Sequence, residues 1–130
     1  MKTLCVLASL AALIAVPTPG RAAAPLTLVA AENFYGDVAR QIGGTDVQVT
    51  SILDNPNQDP HLFEVSPSVA REISAARIVV YSGIDYDPWM EKLLNAARSS
   101  HRKVIVVAPL GGRKSGDNPH LWYDPATAPA

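Results

Sequence analysis

Four short runs rich in β-branched residues, LTLVA from Leu26, VQVTSIL from Val47, RIVVYSG from Arg77 and KVIVVAP from Lys103, alternate with segments of helical spacing. The last two runs are apolar on both faces of the pleat, as expected of strands buried in a parallel sheet and not of a hairpin with one wet face. Between the runs, Phe34, Val38 and Ile42 fall at i, i+4 and i+8. Val69, Ile73 and Ala76 follow the same rule, and Trp89, Met90, Leu93, Leu94 and Ala97 make a wider stripe. Residues so spaced share one face of a helix. The order βαβαβαβ predicts an α/β fold, a four-stranded parallel sheet with crossover helices.

The helix starts are marked chemically. Ser66-Pro67, Asp87-Pro88 and Asp124-Pro125 each place an oxygen-bearing cap before a proline at the first helical position, where the missing N–H loses no bond. Asn33 is read as the cap of the first helix. These starts locate the loops: residues 54–65 follow the second strand, 83–86 the third and 110–123 the fourth. In a parallel sheet all three emerge at the carboxyl edge, where such sheets bind ligands, and neighbouring loops are expected to reach one another.

Two of the three histidines stand on that edge in near-copies of one phrase, DPHLFEVSP from Asp59 and NPHLWYDP from Asn118. The proline before each histidine lacks an N–H and drives Asp59 and Asn118 toward extended geometry, which stiffens the loop. Leu62 with Phe63, and Leu121 with Trp122, are expected to anchor the loops in the core. An imidazole so held has little rotamer freedom left to lose, which suits a metal ligand. A single His after Pro is more often a turn residue or a hydrogen-bonded imidazole. The repetition weighs the two readings equally, and no HExxH, His-x-His or cysteine pair adds to the metal case.

A ligating His commonly donates its other N–H to an oxygen. Glu64, Asp85 and Tyr86 are the rim candidates for that support. Asp59 is better explained as a turn former, and Asp124 and Asp87 as helix caps. His101, in a cationic cluster at the end of the third helix, is assigned no function. GGRKSG, residues 111–116, lacks the Gly before Lys of a phosphate loop and reads as a solvent loop.

The first 22 residues place Lys2 before an apolar run from Leu4 to Val16, followed by a Pro/Gly break and small residues at the expected cleavage point after Ala22. That is the layout of a secretory signal peptide, too short to span a membrane. The only cysteine, Cys5, lies inside this leader. The expected product is therefore exported to the periplasm without a lipid anchor, and has neither a disulfide nor a thiolate site. It would carry nine basic and twelve acidic side chains, a net charge of −3. With no basic stripe there is no electrostatic footprint for nucleic acid.

From AENFYGDVARQIGG through DPHLFEVSPS, RIVVYSGIDYDPWMEKLL and NPHLWYDP, the chain resembles the N-terminal lobe of the periplasmic solute-binding proteins of zinc and manganese ABC importers. The resemblance implies a four-stranded parallel sheet with helices on both faces, joined by a long helix to a second lobe, with the metal between the lobes. It implies His61 and His120 as the metal ligands of this lobe, a divalent ion, zinc or manganese, as cargo, a membrane permease as partner, and no enzymatic activity. The remaining ligands belong to a second lobe that this sequence does not encode, so the chain is expected to be truncated: residues 23–124 as the metal-binding lobe and 125–130 as the start of the linking helix. Two imidazoles satisfy half of a zinc shell, so weak binding is expected, with a dimer formed through the exposed lobe face. The alternatives are a periplasmic metal-dependent hydrolase using the same histidines, for which no general base is evident, and a receptor for an iron chelate or corrinoid.

Overall fold

The computed structural model describes residues 23–125. The leader read over residues 1–22 and the linking helix expected beyond Pro125 lie outside the described residues.

β1 (Leu26–Glu32), β2 (Val47–Leu53), β3 (Ile78–Tyr81) and β4 (Lys103–Val106) form one parallel sheet in the order β2-β1-β3-β4. Val29 lies opposite Thr50 on one side and Val79 on the other, which makes β1 a central strand. The connections carry α1 (Asn33–Gly43), α2 (Pro67–Ala75) and α3 (Pro88–Ala96), and β4 runs directly into the short α4 (Val107–Leu110).

Alternate residues of β1 serve opposite cores, as the two-residue pleat requires. Val29 and Ala31 pack with Leu53, Ile73, Val79, Tyr81, Trp89 and Met90 beneath α2 and α3. Leu28 and Ala30 pack with Val80, Tyr35, Ala39 and Val107 beneath α1 and α4. Helices therefore cover both faces of the sheet, the α/β arrangement that the alternating runs predict.

The face of α1 differs from the expected stripe. Val38 is 54% and Ile42 83% exposed, while Gly36 is buried and Tyr35 and Ala39 pack on the sheet. A Cβ on Gly36 would overlap the Ser51 hydroxyl, so the helix sits closer to the strands than a bulky stripe allows. Small residues, not the large apolar ones, mark the contact face. β4 also departs from expectation: it is the sheet's edge, with Val104 45% and Ile105 39% exposed. Its apolar character therefore does not correspond to burial among the described residues.

The caps divide in the same way. Ser66 accepts the Val69 N–H through Oγ, as expected of a cap. Asp87 precedes Pro88 but makes no cap bond, and the residue flanking α1 is Glu32 in place of Asn33. Asp124 pairs with Arg113.

Candidate metal centre

The loops after β2 and β4 leave from opposite edges of the sheet. Three strand spacings of roughly 4.8 Å separate those edges, about 14 Å in all. The loops nonetheless lean over the ends of β1 and β3 until the rings of His61 and His120 stand with centroids 6.2 Å apart and planes at 69°.

The Pro-His phrase builds the same turn twice. The side chain of the residue before proline accepts the histidine's own backbone N–H: Asp59 Oδ1 from His61 at 2.9 Å, and Asn118 Oδ1 from His120 at 3.0 Å. Proline supplies the fixed φ between them; beyond this shared bond the two differ, since the 3-10 segment Pro60–Leu62 contains His61 whereas Leu121–Tyr123 begins after His120.

The rings are held differently. His61 Nδ1 lies 2.9 Å from the backbone carbonyl of Asp85. A carbonyl only accepts, so Nδ1 carries the proton and Nε2 the lone pair. His120 Nδ1 lies 2.9 Å from Asn118 Oδ1, the atom that also receives the backbone N–H. That second donor identifies the atom as oxygen, and the same tautomer follows. Both rings thus have Nε2 as the nitrogen left to ligate.

Aromatic packing supports the pair. Tyr86, buried, stands 5.3 Å from the His61 ring and 5.6 Å from the His120 ring, centroid to centroid. Trp122 stacks on Phe34 at 4.6 Å and touches Tyr86 at 4.5 Å and His120 at 5.3 Å. Phe63 packs on Trp89, and Leu121 is buried, as anchors should be. Leu62, expected as an anchor, is 76% exposed, because the 3-10 turn points it away from the core.

Of the three residues singled out as supports, Asp85 acts through its carbonyl and its carboxylate is not the acceptor; Tyr86 lies against both rings; and Glu64 is exposed with no hydrogen bond to either imidazole among the described residues. His101 is remote from the pair, with its backbone N–H on Ser99 Oγ.

Near Tyr86 lie two buried carboxyls, Asp87, expected as a helix cap, and Glu32, expected to end the first strand on the same rim. Glu32, at the end of β1, is 1% exposed, and Asp87 is equally buried. Asp87 accepts the backbone N–H groups of Ser82 at 2.7 Å and Gly83 at 2.9 Å. Burial, and next the charge of Asp87, push the Glu32 carboxyl up to about 10, so it is neutral at pH 7. Neither Glu32 oxygen has a hydrogen-bond partner among the described residues, as suits a buried carboxyl kept neutral by the nearby Asp87 carboxylate. Burial also raises the Tyr35 hydroxyl to about 12, against the opposing hydrogen bond with Ser82. The signal for Glu32 was a carboxyl continuing Leu28 and Ala30 on a strand apolar on both faces. Asn118 was legible only as a residue that its proline drives toward extended geometry.

Among the described residues no group of three or more His, Cys, Asp or Glu side chains could hold a metal. Among the described residues the arrangement brings together two imidazoles.

Residues 28–130 match the family described as ZnuA, zinc-uptake complex component A, periplasmic. The manganese-binding lipoprotein MntA of Bacillus subtilis is 31% identical over 106 residues, covering 75% of this chain and 34% of the relative. The metal ABC transporter substrate-binding lipoprotein SloC of Streptococcus mutans is 28% identical over 134 residues, covering 93% and 44%. The chain therefore spans less than half the length of either relative. Among solved structures, the periplasmic zinc-binding protein TroA of Treponema pallidum superposes with a TM-score of 0.66 at 23% identity, over 77% of this chain and 38% of that one, a likeness of fold. Export agrees with these relatives, whereas the expected absence of a lipid anchor is corrected by them, since two are lipoproteins by name. The hydrolase alternative finds no support among them. On the extent of the match, this chain belongs to the family of the periplasmic zinc-uptake complex component A, whose members are solute-binding proteins and not enzymes.

Proposed function

We propose that the chain is the N-terminal lobe, residues 23–124, of the exported solute-binding component of a metal-cation ABC importer, and that it captures a divalent transition metal, zinc or manganese, through Nε2 of His61 and Nε2 of His120. The observation that carries this reading is the pair of rings 6.2 Å apart, each with Nδ1 on an oxygen. With Nδ1 engaged on each ring, Nε2 is the nitrogen open to an ion, and neutral imidazole suits zinc better than manganese. The names of the relatives, zinc for the family and manganese for MntA, support the ion class.

The partner is the membrane permease of the importer, and the metal is cargo. Residues 1–22 act as the export signal, and a second lobe supplies the remaining ligands. Exposed Leu62 and Tyr123, beside the histidines, favour a dimer of this lobe through the same face.

Calorimetric titration of the chain with zinc and with manganese tests the reading. Zinc binding in the micromolar range or weaker is expected, lost in both His61→Ala and His120→Ala. Zinc affinity unchanged in either variant would overturn the assignment. A sedimentation series over concentration checks the dimer, which a monomer at every concentration would refute.

A further inference from the structure

The loop from β3 to α3 holds a backbone that its sequence does not favour. After Gly83, at φ 79°, both Ile84 (φ 44°) and Asp85 (φ 67°) are left-handed. Non-glycine residues, β-branched ones above all, persist there only where the surroundings over-determine the turn. The surroundings are buried and polar. Asp87 closes the loop on itself through the Ser82 and Gly83 N–H groups, and the Tyr86 N–H returns to the Gly83 carbonyl at 3.1 Å. Glu32 is buried near Asp87 at the end of β1, and neither of its oxygens has a hydrogen-bond partner among the described residues. At its outer end the same loop delivers the Asp85 carbonyl to His61.

We propose that Asp87, backed by Glu32, is a positioning residue that sets the orientation and tautomer of His61: it holds the left-handed Ile84–Asp85 turn, and with it the Asp85 carbonyl, against the ring. A buried carboxylate that accepts two backbone N–H groups fixes a loop more firmly than neutral contacts would. His120 has no such dependence, because its ring is held inside its own loop by Asn118. The two histidines therefore differ in what lies behind them, and His120 serves as the internal reference. This inference deepens the reading of His61 as a ligand and rests on it for its consequence, but not for its first measurement.

Long-range 1H–15N spectra of the metal-free full chain report the tautomer of each imidazole. Both rings are expected in the Nδ1–H form. In Asp87→Asn, one backbone N–H loses its acceptor, and His61 is expected to become a tautomer mixture while His120 stays as it was. Glu32→Leu should act in the same direction, and the conservative Glu32→Gln should restore the single form. If Asp87→Asn does not fold, Asp85→Pro, at an exposed position, forces φ from 67° to about −65° and turns the carbonyl away, with the same selective effect on His61 expected. Zinc affinity should fall by about ten- to a hundredfold in parallel. A His61 that keeps its single form in these variants, or a change of equal size in both rings, overturns the proposal. A selective tautomer change without any change in zinc affinity would leave the positioning intact and sink the ligand reading. An unmoved tautomer with zinc binding lost in His61→Ala would do the reverse.

Discussion

His61 and His120 meet edge to face at 6.2 Å although they hang from the two outermost strands of the sheet. That convergence needs both loops to lean inward over β1 and β3. Each does so on the same turn, in which the residue before proline accepts the histidine backbone N–H.

The two turns should respond unequally to loss of that acceptor. Asn118 holds both the backbone and the ring of His120, whereas Asp59 holds only the backbone of His61. Asn118→Ala is expected to reduce zinc affinity by about ten- to a hundredfold and stability by about 1 kcal/mol. Asp59→Ala should show a similar loss of stability with a smaller loss of affinity. Asn118→Asp, which reproduces the other phrase, should retain both. Calorimetry and thermal melts of the three variants check the order.

Glu32 should make stability fall with rising pH. Its folded carboxyl is pushed up to about 10, against an ordinary value near 4.5 in the unfolded chain. Below 4.5 both states hold the proton and the penalty is absent. Between 4.5 and 10 only the folded state holds it, so each pH unit favours unfolding by about 1.4 kcal/mol from this group. Glu32→Gln removes the dependence. The stability gap between Glu32→Gln and the parent should widen from pH 5 to pH 9 in urea titrations, and a gap independent of pH would show that Glu32 is ionised in the fold.

Gly36 is where α1 lies closest to the sheet. Alanine raises intrinsic helix propensity by about 1 kcal/mol over glycine, yet its Cβ would overlap the Ser51 hydroxyl. The overlap should win, with Gly36→Ala less stable by about 1–3 kcal/mol. Adding Ser51→Ala removes the overlapping atom and should recover most of that loss. Additive melting temperatures in the double variant would contradict this account.

Ile73 is fully buried in the apolar cluster between the sheet and its helices. Ile73→Ala should lower stability by about 2–5 kcal/mol through lost burial and an unfilled cavity. The zinc affinity of the folded fraction should not change, since no part of Ile73 reaches the carboxyl edge. Urea unfolding paired with zinc titration separates the two effects.

The sequence by itself determined the elements and the edge on which function sits. β-branched apolar runs, helical spacing and Ser66-Pro67 are local signals, and local backbone chemistry decides them. The repeated Pro-His phrase was likewise local, and its turn forms twice. Strand order was not local: one βαβ pattern is compatible with several orders, and only packing on both faces placed β2 and β4 at the edges with β1 and β3 between them. That order decides which residues lie under the histidines. Asp87 looked like a helix cap because the dipeptide Asp-Pro caps helices, but burial beside Glu32 turned its carboxylate back onto its own loop. Val38 and Ile42 looked like core because their spacing is right, but the sheet accepted the face of α1 that brings Gly36 against Ser51. In each case a short-range preference of a fraction of a kcal/mol to about 1 kcal/mol gave way to burial and to the desolvation of charged groups, which are larger and which no local stretch of sequence contains.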